Sequence, residues 1–256
     1  MTLKHGIDPQ GALWLGFFAL ILAAWAGLFA MILSSPLADI PSGLWAALCT
    51  SAAAASLPAL FAMWTLMSAA MMLPTFIPAL RTFLNLGAAG ATKPGDAAAL
   101  ISGYGVIWLG GAALGARAQS WLAGLGLIAP DGSSLSVWLT AGLLLTAGLY
   151  QFTGLKAACL AKCRMPLTFF MERWAPGTPR AFRMGLELGA LCFGCCWALM
   201  ALAFVGGTMS LVWMGAATLF MTLEKLPDIG RPLTRPAGYA LIAAAGATAL
   251  NAALWS

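Results

Sequence analysis

The sequence predicts an all-α protein: a polytopic membrane helical bundle of about seven transmembrane helices, folded as a single integral membrane domain over residues 1–256. Three observations carry this. Of 256 residues, 61% are hydrophobic and only 8% charged, whereas a soluble domain is about one quarter charged. Mean hydropathy is +0.89. The apolar residues also gather into runs long enough to cross about 30 Å of hydrocarbon.

Those runs fall at residues 12–33, 57–80, 99–117, 135–155, 185–206, 209–224 and 236–254. The first is too long for the apolar region of a signal peptide, and only Lys4 and His5 flank it, so it is expected to be retained. Ser42 to Cys49 is expected to form a short interfacial turn before the second span. The sixth run is the shortest, and Gly206-Gly207-Thr208 leaves almost no loop before it. Spans five and six should therefore form a tight antiparallel hairpin. Pro166, Pro176 and Pro179 should break the basic loop between spans four and five into irregular chain or a short surface helix. Gly111 and Gly115 in span three, and Gly185 and Gly189 in span five, make faces on which helix backbones can approach closely.

Orientation follows from the cations. If the N-terminus is cytoplasmic, alternate loops carry Lys4; then Arg81 and Lys93; then Lys156, Lys162, Arg164, Arg173, Arg180 and Arg183; then Lys225, Arg231 and Arg235. Only Arg117 falls on the other side, which predicts an N-in, C-out topology. The net charge of +5 is thus spread over loops, and no nucleic-acid partner is expected. Six cysteines in such a chain do not make a secreted disulfide scaffold. No phosphate-binding glycine loop, nucleophile–base set or haem-ligating histidine pair is present, so the chain is not expected to be an enzyme or an energised pump.

The chemistry concentrates in span five, in Cys192-Phe193-Gly194-Cys195-Cys196-Trp197-Ala198-Leu199-Met200. At 100° per residue, Cys192, Cys195 and Cys196 fall within about 100° of one another, with Met200 one turn further on. Thiols and a thioether are soft donors, which select Cu(I). Span two carries Met63, Met67 and Met71 at four-residue spacing, with Met72 pointing elsewhere. Such a stripe is ordinarily packing filler, but beside a cysteine helix Met67 and Met71 become candidate ligands. Pro74 should free the carbonyl near Ala70 and kink the helix there. A second thiol pair, Cys159 and Cys163, lies at the inner end of span four among Lys156, Lys162 and Arg164, which favour thiolate. Read by depth, this places thioethers outside, thiols at the centre and thiols at the inner face, an order that favours inward transfer and is compatible with storage or delivery. Cys49 stands apart as a small apolar residue. His5, the one histidine, is read as a solvated residue of the N-terminal tail. Glu187, Glu224 and Lys225 lie near the inner interface, where pairing with the basic loop or snorkelling explains them.

Five blocks together resemble a bacterial family of predicted metal-binding integral membrane proteins of uncharacterised function. They are Met67 through Pro74, Gly103-Tyr104 with Trp108, Lys156 through Pro166, Gly194 through Met200, and Glu224-Lys225. The resemblance implies a metal-binding role and leaves the metal, direction and partner open.

The expectation is thus membrane-embedded binding, with transport or delivery, of a soft metal ion, Cu(I), in a bacterial inner membrane. The candidate ligands are Met67, Met71, Cys159, Cys163, Cys192, Cys195, Cys196 and Met200. The expected partners are the lipid bilayer and a copper chaperone or a larger membrane complex. Two alternatives stay open: an accessory subunit whose cysteines are inert, and a membrane thiol–disulfide oxidoreductase.

Overall fold

The computed structural model describes residues 9–33, 56–87, 93–208 and 210–255. Lys4, His5, Cys49 and the expected interfacial turn at Ser42–Cys49 lie outside them. The described residues form ten helices and no strand beyond an isolated bridge between Ile128 and Ser134.

The first helix, α1 (Pro9–Leu33), packs on α2 (Leu57–Leu86). Two prolines, Pro74 and Pro78, lie inside α2. Pro74 has no N–H to offer the carbonyl four residues back. Trp25 Nε1 donates to that Ala70 carbonyl instead, at 3.2 Å, and ties α1 to α2.

Helix α3 (Pro94–Gly124) opens on a proline, with the Lys93 N–H donating to the Asp96 carboxylate at 2.9 Å. Thr178 Oγ1 donates to the same carboxylate at 2.7 Å and docks the start of α7 (Thr178–Ala201) beside it. From there α3 and α7 run in backbone contact. A Cβ at Gly103 would lie 2.2 Å from the Phe182 carbonyl oxygen, and one at Gly185 2.2 Å from that of Leu100. Of the glycine faces read from the sequence, Gly185 and Gly189 make this crossing, but opposite Gly103. Gly111 and Gly115 instead receive the rings of Phe193 and Trp64.

The fourth expected span is broken. Helix α4 (Val137–Tyr150) stops, and α5 (Gly154–Arg164) leaves at 63° to it. Thr153 caps the new helix by accepting from the Lys156 N–H. Pro166 then opens α6 (Pro166–Arg173), so the basic loop is two short helices. Beyond α7, Leu202 interrupts the helix before α8 (Ala203–Gly206), and α9 (Leu211–Lys225) turns back with Trp213 against Gly206, the expected tight hairpin. The last helix, α10 (Pro227–Trp255), starts nine residues before the apolar run does: Pro227 opens it, and Pro232 and Pro236 lie inside it.

Among the described residues five helices are long and apolar enough to cross a membrane, and the bent α4–α5 pair makes a sixth if taken as one span. The remaining expected span is α9, whose 15 residues extend about 22 Å. The large exposed side chains, such as Leu15, Leu22, Leu250 and Leu254, are what a lipid-facing surface requires. The buried core runs between α2, α3 and α7.

Overpacking at the α3–α7 crossing should be costly. Gly103→Ala or Gly185→Ala is expected to destabilise the detergent-solubilised protein by about 1–3 kcal/mol, read as a lowered thermal midpoint. Gly110→Ala, where the added carbon meets nothing within 4 Å, should leave the midpoint unchanged.

Candidate metal centre

The i, i+3, i+4 spacing on α7 places three thiols on one strip of helix. The Sγ atoms of Cys192, Cys195 and Cys196 lie within 4.8 Å of one another, and each residue is at most 3% exposed. All are free thiols. Cys195 and Cys196 both donate to the Cys192 carbonyl, at 3.1 and 2.8 Å, which turns their sulfurs toward one point. Among the described residues no histidine or carboxylate belongs to the cluster.

Four other helices complete its walls. From α2, Met72 brings its sulfur to 3.8 Å from Cys196 Sγ. From α3, the Tyr104 hydroxyl lies 3.1 Å from Cys192 Sγ and donates to the Met72 carbonyl, also at 3.1 Å. The ring of Tyr104 stacks on Phe76 with centroids 4.2 Å apart. From α9, Lys225 Nζ donates to Cys192 Sγ at 3.0 Å and to Thr75 Oγ1 at 2.7 Å. From α5, Cys163 faces the same small cavity as Cys192 and Lys225. Cys159 lies against Gly194, where a Cβ would come 2.9 Å from its sulfur. A side chain at position 194 would therefore have to displace the Cys159 thiol.

Thr75, Tyr104, Cys163, Cys192 and Lys225 border a cavity of about 20 Å³. That is a little more than a single water needs, about 10–15 Å³. The arrangement offers a bound ion soft sulfur on several sides, one ammonium, and a small opening beside Cys163.

The acids behave as the sequence suggests. Glu224 pairs with Lys156 at 2.9 Å, both almost wholly buried, and its backbone carbonyl accepts from Arg164. Glu187 pairs with Arg173 and Arg183. Lys162 of α5 hydrogen-bonds Glu172 of α6 and holds its carboxyl below the ordinary range. Lys225 departs from the pattern: it turns to the thiols instead of pairing with an acid or reaching the interface.

The placement of the expected ligands thus divides. Cys192, Cys195 and Cys196 come together. The 63° bend lays α5 against α7, so Cys163 borders the cavity beside Cys192 and Cys159 lies against Gly194, both next to the trio and outside its 4.8 Å cluster. On α2 the methionine that reaches the cysteines is Met72, which the sequence turned elsewhere. Met67 and Met71 are buried but lie about 140° and 100° around the helix from Met72. Met200 lines a separate groove of about 210 Å³ with Trp64, Ser68 and Trp108. Tyr104 and Lys225 were not among the expected site residues. Their signal was their position in two of the blocks that carry the family resemblance.

A family model described as PpoB2, copper chaperone, matches residues 61–248, a stretch that contains every residue of this cluster. No curated protein and no solved structure matches the chain.

The geometry separates the methionines. Leucine keeps most of methionine's volume, so the swap should cost under about 1.5 kcal/mol in packing. Met72→Leu is expected to weaken copper binding severalfold in a chelator competition. Met67→Leu with Met71→Leu should leave it unchanged, and the reverse pattern would contradict the placement of α2.

Proposed function

The chain belongs to the PpoB2 family, described as copper chaperone, and from that premise we propose that it holds one Cu(I) ion within the membrane and hands it to an acceptor. The observation that carries this is the trio Cys192, Cys195 and Cys196, three buried sulfurs within 4.8 Å with no hard donor among them. Thiolate and thioether are the ligands that select Cu(I), and Met72 stands beside Cys196 as a further soft contact. Three thiolates around a single positive charge leave an excess of negative charge in a low-dielectric site. The ammonium of Lys225, on Cys192, is placed to offset it.

Cys163 is the hand-over ligand in this reading. It borders the cavity that Cys192 also lines, so an ion leaving the trio would meet its sulfur there. Cys159 supports it against Gly194. Met67, Met71 and Met200 stand outside this ligand set. The protein acts by binding and delivery and carries out no covalent chemistry. In this reading the seven apolar runs cross a bacterial inner membrane, and the cation asymmetry supports an N-terminus on the inside. The basic residues Lys156, Lys162 and Arg164 then mark the cytoplasmic side, where a copper chaperone or a larger membrane complex would receive the ion.

The test is metal analysis of the purified protein produced with and without added copper. One copper per chain is expected to survive purification in detergent. Cys195→Ser and Cys196→Ser should each remove tight binding, since a hydroxyl is a hard, poor ligand for Cu(I), while Cys49→Ser should change nothing. Equal copper in all three variants would refute the centre.

A further inference from the structure

We infer that Lys225 is a specificity-determining residue, which sets the centre's preference for a monovalent over a divalent ion through its fixed charge. This rests on the copper-binding reading above. An ion bound to Cys192 would lie about 2.3 Å from its sulfur, by analogy with other thiolate–metal bonds. Lys225 Nζ lies 3.0 Å from the same sulfur, so ion and ammonium are separated by at most about 5.3 Å.

The ammonium attracts the thiolates equally whatever ion they hold. It repels the ion itself in proportion to that ion's charge, and a divalent ion therefore feels twice the repulsion of Cu(I). At the effective dielectric of a protein interior, one extra unit of charge at this distance changes binding about a hundredfold.

The surrounding charges do not cancel the effect. Glu224, the nearest acid in sequence, gives its carboxylate to Lys156, and Arg164 adds a cation on the Glu224 backbone. No carboxylate or imidazole joins the cluster among the described residues, and the oxygens beside it are neutral hydroxyls already hydrogen-bonded, Tyr104 to the Met72 carbonyl and Thr75 to Lys225, so a divalent ion gains no charged hard donor in compensation. Thr75 fixes the ammonium in place by accepting at 2.7 Å. Donor softness alone does not exclude Zn(II) or Co(II), since thiolates bind both. The cation against the sulfur supplies the discrimination that the sulfurs lack.

The experiment uses the full chain in nanodiscs under anaerobic, reducing conditions. Cu(I) affinity is read by competition with a Cu(I) chelator, and Co(II) affinity from its thiolate-to-cobalt absorption band. Lys225→Leu, uncharged and without a donor atom, should raise Co(II) affinity relative to Cu(I) by tenfold to a hundredfold. Lys225→Arg should hold the wild-type ratio, because it keeps the charge. Should the leucine variant not fold, Lys225→Ala carries the same expectation.

An unchanged ratio in the uncharged variants, with Cu(I) still bound by the wild type, would overturn the inference alone. A ratio that shifts equally in Lys225→Arg would overturn it too, since fit and not charge would then decide. A wild type that binds no Cu(I) would remove the reading on which it rests.

Discussion

Everything at the centre depends on how closely α3 and α7 approach. Their backbones touch where Gly103 meets Phe182 and Gly185 meets Leu100, and Tyr104 follows Gly103 directly. That approach lets one phenol reach both the Met72 carbonyl of α2 and the Cys192 sulfur of α7. In lipid there is no hydrophobic drive to bring helices together, so small residues and hydrogen bonds must do it. Here the glycines set the distance and the tyrosine sets the rotation of three helices about the thiols.

Charge placement is the second constraint, and it works through α9. The buried Lys156–Glu224 pair anchors the end of that helix to α5. Stranding one charge of such a pair costs about 3–5 kcal/mol, so the anchor strongly favours one position of α9. The neighbouring Lys225 is thereby held facing α7, with Thr75 accepting one of its protons and Cys192 another. The same anchor holds α5, and with it Cys159 and Cys163, against the cysteine helix. A structural ion pair and the proposed metal centre are thus two consequences of one junction.

How much of this was legible in the sequence depends on whether a feature is local to one helix. The cysteine trio was, because i, i+3 and i+4 share a face whatever surrounds them. So was the carbonyl freed at Ala70, a direct result of Pro74. The facing of Met72 was not: the same helix presents Met71 or Met72 according to its rotation, and that is set by contacts with α1 and α3. Hydropathy also ran through residues 135–155 without a break, since Gly154 and the capping Thr153 are compatible with an apolar run. The bend there is decided by docking of α5 on α7 and on Glu224. Reading the span as straight put Cys163 at a different depth from the cysteine helix, although Cys163 and Cys192 line one cavity. Lys225 was assigned to the interface because a cation at a helix end ordinarily snorkels, and only its tertiary neighbours show otherwise.

The central claim is that the sulfurs of Cys192, Cys195 and Cys196 form a single soft-metal centre. X-ray absorption at the copper edge of the copper-loaded protein tests it most directly. The account predicts a Cu(I) edge and a first shell of sulfur alone, lost when the three cysteines are changed together to serine. A first shell of nitrogen or oxygen, or a spectrum unaltered by the triple substitution, would contradict it.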